Sequence, residues 1–373
     1  MDKRKGESEI LKIHLIAAAR PNFMKIAPLY HELKKREWAR PLIVHTGQHY
    51  DLNMSDIFFK NFNLPEPHIH LGVGSGSHAQ QTGNVMIEYE KVLLESPPDL
   101  VVVVGDVNST AAVTMAAVKL GVKVAHLEAG LRSFDRTMPE EINRLVTDVL
   151  VDYLWTPSLD GNKNLEREGI DPGKIFFVGN IMIDSLVMAR KNIEALDVYA
   201  GFGCKRGEYG LVTLHRPSNV DSLDVLGSLC DHLVDISKKI PLIFPVHPRT
   251  LGKLEGFGIR SLKDAENIHL TAPLGYNDFM NLVFNSRLII TDSGGVQEET
   301  TFLEIPCLTL RPNTERPVTI TQGTNLLCRP EALGKNVDSI LEGRFKKGSI
   351  PDLWDGKTAK RIADIIAGSD PSK

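Results

Sequence analysis

Three acids stand where they could handle protons: Asp106 just past the apolar run 100–104, Glu128 just past the strand that opens the stretch 122–133, and Glu140 in the turn after Pro139. Each has a plainer reading, as a helix cap or as a partner of a helix dipole. Brought beside one another and partly buried, they would repel, and one pKa would rise, so that one residue type supplies both an acid and a base. In the second half, residues 291–300 (TDSGGVQEET) follow an apolar run and precede helix formers. That order turns free backbone N–H groups and the positive end of a helix outward together. Two readings stand side by side: a phosphate seat on Ser293, Gly294 and Gly295 with Glu299 accepting from ribose hydroxyls, or a tight turn that needs glycine. His215-Arg216 and His247-Pro248-Arg249 also follow apolar runs, as satisfied structural residues or as proton carriers at a sheet end. Arg20 and Lys25 can neutralise the acids or hold phosphate, and Arg311 and Arg316 can pair with a diphosphate or be solvated at the surface.

The elements that must position these groups follow from periodicity. Residues 11–19 predict a strand buried on both faces, ended by Arg20-Pro21, and Ile26, Leu29, Tyr30 and Leu33 then recur at helical spacing. Further strand-led stretches are expected over 41–49, 99–110 and 122–133, with a helix over 52–62 and another over about 84–95. The Gly- and Ser-rich stretch 71–83 reads as a mobile loop, a candidate lid. After Gly179-Asn180 the alternation restarts, with stretches that open as strands and end in polar or Gly/Pro loops at 210–221, 242–250, 267–280, 287–299 and 306–317. In open parallel sheets ligands bind beyond the carboxyl ends of the strands, where Arg20, His49, Asp106 and Glu128 all fall.

At 373 residues, with 42% hydrophobic and 24% charged residues, the chain suits two compact domains. The boundaries expected are 1–179 plus 356–373 for the first and 180–355 for the second. A net charge of −4 without a run of like charges argues against nucleic acid or a membrane surface as partner. The four cysteines form no metal or disulfide pattern, and no metal site is expected. The N-terminal apolar run is too short for a signal sequence or a span, so a cytoplasmic protein is expected. Neither GxGxxG after the first strand nor GxxxxGK[ST] occurs, which excludes the usual nicotinamide and P-loop sites; no cofactor is expected.

The segments AARPNFMK, HTGQH, GDVNST, HLEAGLRS, MPEEINR, LHRPSNVD, FPVHPR, DSGGVQEE and NTERP, in that order, closely resemble the non-hydrolysing UDP-N-acetylglucosamine 2-epimerases. The resemblance implies the GT-B fold, two Rossmann-like domains facing across a cleft, in a homodimer. It implies interconversion of UDP-N-acetylglucosamine and UDP-N-acetylmannosamine, with UDP eliminated to leave a glycal and then re-added. By resemblance Asp106, Glu128 and Glu140 are the candidate acid–base groups around the sugar, and His215 stands near diphosphate and sugar. Arg20, Lys25, His247, Ser293, Gly294, Gly295, Glu299 and Arg316 are the candidate substrate contacts. Gln48 and His49 match part of an activator site of many bacterial members, whereas residues 75–78 lack the arginine that completes it. A GT-B glycosyltransferase is the alternative of another class; hydrolysis or a modified UDP-sugar are nearer variants.

Overall fold

The structure, a computed structural model, describes residues 10–47 and 62–368. The helix expected over 52–62, apart from Phe62, and the candidates Gln48 and His49 lie outside the described residues. Two compact units are present, Met1–Met188 with Asp352–Lys373, and Ala189–Pro351.

The first unit is built on β1 (Leu11–Ala17), β2 (Ala39–His45), β3 (Ile69–His70), β4 (Leu100–Val104), β5 (Lys123–Leu127), β6 (Tyr153–Thr156) and β7 (Ile175–Phe177). These form one parallel sheet in the order β3-β2-β1-β4-β5-β6-β7. All five side chains of β4 are buried, as expected of a central strand covered on both faces. The second unit carries β8 (Gly210–Thr213), β9 (Leu242–Pro245), β10 (Ile268–Thr271), β11 (Leu288–Thr291), β12 (Cys307–Thr309) and β13 (Asn325–Leu327). They too are parallel, in the order β10-β9-β8-β11-β12-β13. Each sheet therefore reverses its winding once, between β1 and β4 and between β8 and β11. A crevice opens at such a point because the loops on its two sides lead away in opposite directions.

One expectation needs correction. The stretch 71–83 is loop only as far as Ser77, and the helix His78–Glu95 begins six residues before the expected start. The cause is a reciprocal cap: Ser77 Oγ accepts from the Gln80 N–H at 3.3 Å and Gln80 Oε1 from the Ser77 N–H at 3.0 Å.

The chain returns to the first unit at its end. Trp354 Nε1 donates to the Pro157 carbonyl at 2.9 Å, and the buried carboxylate of Asp184 accepts from the N–H groups of Thr358 and Ala359, which open the helix Thr358–Gly368. That helix packs on Arg20–Lys34. Gly179, with φ +91°, is required here, because a Cβ would overlap the Leu353 carbonyl oxygen. Asp184 and Ser185, whose hydroxyl donates to Met24 O at 2.6 Å, also tie the helix Ile181–Glu194 to the first unit. Among the described residues no helix is long and apolar enough to cross a membrane.

Candidate active site

The winding reversal of the first sheet collects Lys25, Asp106 and Glu128. Glu128 follows β5 in a left-handed conformation, φ +79°, and is buried. For a residue with a Cβ that costs on the order of 1 kcal/mol, and such strain persists where the surroundings over-determine it. Its backbone N–H donates to Trp155 O at 3.1 Å, and its carboxylate pairs with Lys25 Nζ. Gly105, φ +67°, lets the chain pass close to that pair: a Cβ there would lie 3.3 Å from Lys25 Nζ and 3.6 Å from Glu128 Oε2. Asp106 comes next, half exposed, its carboxylate 2.5 Å from Arg144 Nη1. The expected pair of repelling acids is replaced by two acids that each face a cation.

Arg144 is buried and spans from Asp106 to Glu141, whose carboxylate also accepts from Ser133 N and Oγ and from Phe134 N. Burial pushes the Glu141 carboxyl up, but those bonds and the guanidinium bring it below its ordinary value. Glu140 is exposed in the first turn of the helix Pro139–Leu150, so helical phase turns its neighbour, and not Glu140, toward Arg144. Behind the site lies a second buried chain. His126 Nε2 is 2.8 Å from the Gly105 carbonyl oxygen and its Nδ1 2.5 Å from Asp148 Oδ1. Asp148 Oδ2 accepts from Gly130 N at 3.0 Å and Arg132 Nη1 at 2.8 Å. Burial raises the Asp148 carboxyl, yet His126 and Arg132 hold it below its usual value.

In the second unit the reversal collects His215 after β8 and Asp292-Ser293 after β11. Asp292 is fully buried and accepts from the backbone N–H groups of His215 and Arg216 at 2.9–3.1 Å, from Asn219 Nδ2 at 3.1 Å, and from His215 Nδ1 at 2.8 Å. Burial raises its carboxyl, but these bonds outweigh it and the group is held below its ordinary value. The pairing fixes the His215 ring with Nδ1 inward and Nε2 directed away from the carboxylate. His247, its ring 5.6 Å from that of His215, is lowered by burial and by that neighbour. Ser293 caps the helix Gly294–Phe302 without a side-chain bond to it, so its half-buried hydroxyl is not spent on the cap.

The remaining candidates divide. Glu299 is buried, and burial, reinforced by the charge of Glu298, pushes its carboxyl up to about 8 against the opposing Tyr276 hydroxyl. Arg316 pairs with Glu315 and, at 2.9 Å, with Glu298, while Arg311 meets Glu315 at 2.8 Å; both guanidinium groups buttress the turn from within the unit. Burial pushes the Glu315 carboxyl up, but the two arginines hold it far below the carboxylate range. Arg20 is the first residue of the helix Arg20–Lys34, at the end of β1. Among the described residues no three His, Cys, Asp or Glu side chains are grouped to hold a metal ion. The arrangement offers two charge-compensated acids in one unit and, in the other, the N-terminus of the helix Gly294–Phe302 beside an oriented histidine. Reading by motif missed Arg144, Glu141, His126, Asp148 and Asp292, all buried ionisable groups whose partners lie at other positions along the chain.

The sequence profile of a family described as UDP-N-acetylglucosamine 2-epimerase matches residues 31–367. A UDP-N-acetylglucosamine 2-epimerase of Methanococcus maripaludis is 43% identical over 366 residues, 96% of this chain and 98% of that protein. A UDP-2,3-diacetamido-2,3-dideoxy-D-glucuronate 2-epimerase of Pseudomonas aeruginosa is 38% identical over 367 residues, 96% of this chain and 99% of its own. A crystal structure of the Methanocaldococcus jannaschii UDP-GlcNAc 2-epimerase in complex with UDP-GlcNAc and UDP gives a TM-score of 0.85 at 42% identity, covering 96% of this chain and all of that one.

Proposed function

Since the chain belongs to the UDP-N-acetylglucosamine 2-epimerase family, with two parallel-sheet α/β domains of the GT-B class, we propose that it reversibly inverts C2 of UDP-N-acetylglucosamine to give UDP-N-acetylmannosamine. The route is elimination and re-addition. The C2 proton lies beside an amide nitrogen rather than a carbonyl, so no enolate is available to stabilise its direct removal. When the C1–O bond breaks, its electron pair leaves with UDP and C1 gains cationic character. The C2–H pair then becomes the C1–C2 double bond of a glycal, and the proton passes to a carboxylate. Protonation of C2 from the opposite face and return of a β-phosphate oxygen to C1 complete the inversion, with no net change in atoms or charge.

Asp106 and Glu128 are the acid–base groups of this reading, each paired with its own cation, one taking the C2 proton as a carboxylate and the other returning a proton from the opposite face as a carboxylic acid. Which removes the proton and which returns it is left to the exchange experiment below. Glu140, exposed in the first turn, stays a weaker third candidate. Ser293, Gly294 and Gly295 hold the diphosphate, and His215 Nε2, its ring fixed by Asp292, donates to the departing oxygen. Arg20, Lys25, His247, Glu299 and Arg316 complete the binding set, Arg316 by shaping the turn. The observation that carries the reading is the placement of both groups of residues at the winding reversals of their sheets. A homodimer is part of the proposal, testable by sedimentation.

Incubation with UDP-N-acetylglucosamine in deuterated water, followed by proton NMR, tests it. UDP-N-acetylmannosamine carrying deuterium at C2 is expected; inversion with the original hydrogen retained overturns the elimination route, and free sugar overturns re-addition. The Pseudomonas relative favours a second reading, a diacetamido uronic acid sugar as substrate. Faster turnover of that compound in the same assay would establish it.

A further inference from the structure

A carbonyl oxygen and a carboxylate have no proton to give, yet these are the two groups that the ring of His126 faces. Its Nε2 stands 2.8 Å from Gly105 O and its Nδ1 2.5 Å from Asp148 Oδ1, in a fully buried setting. The other Asp148 oxygen is already met by Gly130 N and Arg132, and Arg132 is itself matched by Glu168 at 2.7–2.8 Å. Both ring nitrogens must therefore donate. The Gly105-Asp106 segment that receives one of these bonds is fixed from other sides as well: Gly105 N donates to Leu127 O at 3.1 Å and Asp106 O accepts from Asn143 Nδ2 at 2.9 Å.

We propose that His126 is a positioning residue, a buried imidazolium that, held by Asp148, grips the Gly105 carbonyl and so sets the turn that presents Asp106. The inference rests on the reading of Asp106 as a proton-transfer group. Its logic is distance: a displacement of about 1 Å at a reacting group costs on the order of 100-fold in rate, and loss of the grip leaves the turn to the remaining bonds from Gly105 N, Asn143 and Arg144, so that it shifts by part of that distance. Binding of UDP, assigned to the other unit, is untouched.

The full chain carrying 15N-labelled histidine gives the first test. NMR near pH 7.5 should show one histidine with both ring nitrogens protonated that is missing from H126Q; a singly protonated His126 ring overturns the inference. In H126N the amide reaches only the Asp148 side, and kcat for C2 exchange should fall about 10- to 100-fold, with KM and UDP affinity unchanged. H126Q places an amide N–H near the former Nε2 and should recover part of the loss. Wild-type exchange in H126N overturns the inference; if H126N fails to fold, the ring signature and H126Q decide. D106N separates the two levels: retained exchange there sinks the reading of Asp106 itself, whereas a dead D106N beside an active H126N sinks only the role of His126.

Discussion

The two sites use charge in opposite ways. In the first unit the two candidate proton-transfer acids each face a cation, Lys25 on Glu128 and Arg144 on Asp106, and Asp106 keeps an exposed side. In the second unit the central acid, Asp292, is fully buried and spends its lone pairs on backbone N–H groups, a side-chain amide and a histidine ring. A group that must take and return a proton needs partners that can be exchanged for substrate. A group that must hold a leaving diphosphate until it re-adds needs partners that do not change. The contrast thus follows from the division of labour proposed for the two units.

The largest effect that bears on this contrast is expected at Asp106. Asp106→Asn should reduce C2 deuterium incorporation by about 100- to 10,000-fold, the usual range for a general acid or base, while calorimetry finds UDP binding intact. Unchanged exchange would remove Asp106 from the reaction. Asp292→Asn should show the reverse signature. The fixed ring of His215 and several charge-assisted bonds are lost together, so thermal unfolding should report a loss of about 2 kcal/mol and UDP affinity should drop; a stable variant with normal UDP binding breaks the contrast.

A smaller effect belongs to Glu299. Its carboxyl, raised from about 4.5 to about 8, is neutral in the folded protein where the unfolded chain would ionise. Between those values the unfolded state binds fewer protons, so this group's contribution to stability falls as pH rises through the window. If ribose hydroxyls donate to the carboxylate, UDP binding must ionise it, and affinity should rise roughly tenfold from pH 7 to pH 9. Glu299→Gln should flatten that profile; an equally steep profile in the variant assigns the dependence elsewhere. The smallest change is expected from Gly105→Ala, which forces a Cβ into φ +67° at about 1 kcal/mol, visible as a few degrees in melting temperature. The flexible Lys25 tip can yield to the added methyl, so stability should suffer more than UDP affinity.

The alternation of apolar runs and Gly/Pro turns was sufficient to read two parallel α/β units and to put Asp106, Glu128, His215 and Ser293 at strand ends, because each depends on neighbours a few residues away. The partners were not legible for the same reason. Asp292 meets His215 across 77 positions and Arg144 meets Asp106 across 38, distances at which no periodicity speaks. The dipeptide Glu140-Glu141 offers two acids that only the helical phase tells apart. Glu141 and Arg144, three apart on one helix, gave a signal that could have been used: a buried pair facing the acid site. Ser77 and Gln80 likewise carried a capping box that the glycines around it concealed.

The return of the chain to the first unit has a consequence for biosynthesis. Residues 189–351 form one uninterrupted stretch, so the second unit is complete on the ribosome before the first. The first unit begins to form earlier and finishes later. Until Thr358 and Ala359 emerge, the carboxylate of Asp184 lacks its two N–H donors and the surface of the helix Arg20–Lys34 that the last helix covers stays open to water. Released chains truncated after residue 351 are therefore expected to hold a folded second unit attached to a first unit that proteases can still cut.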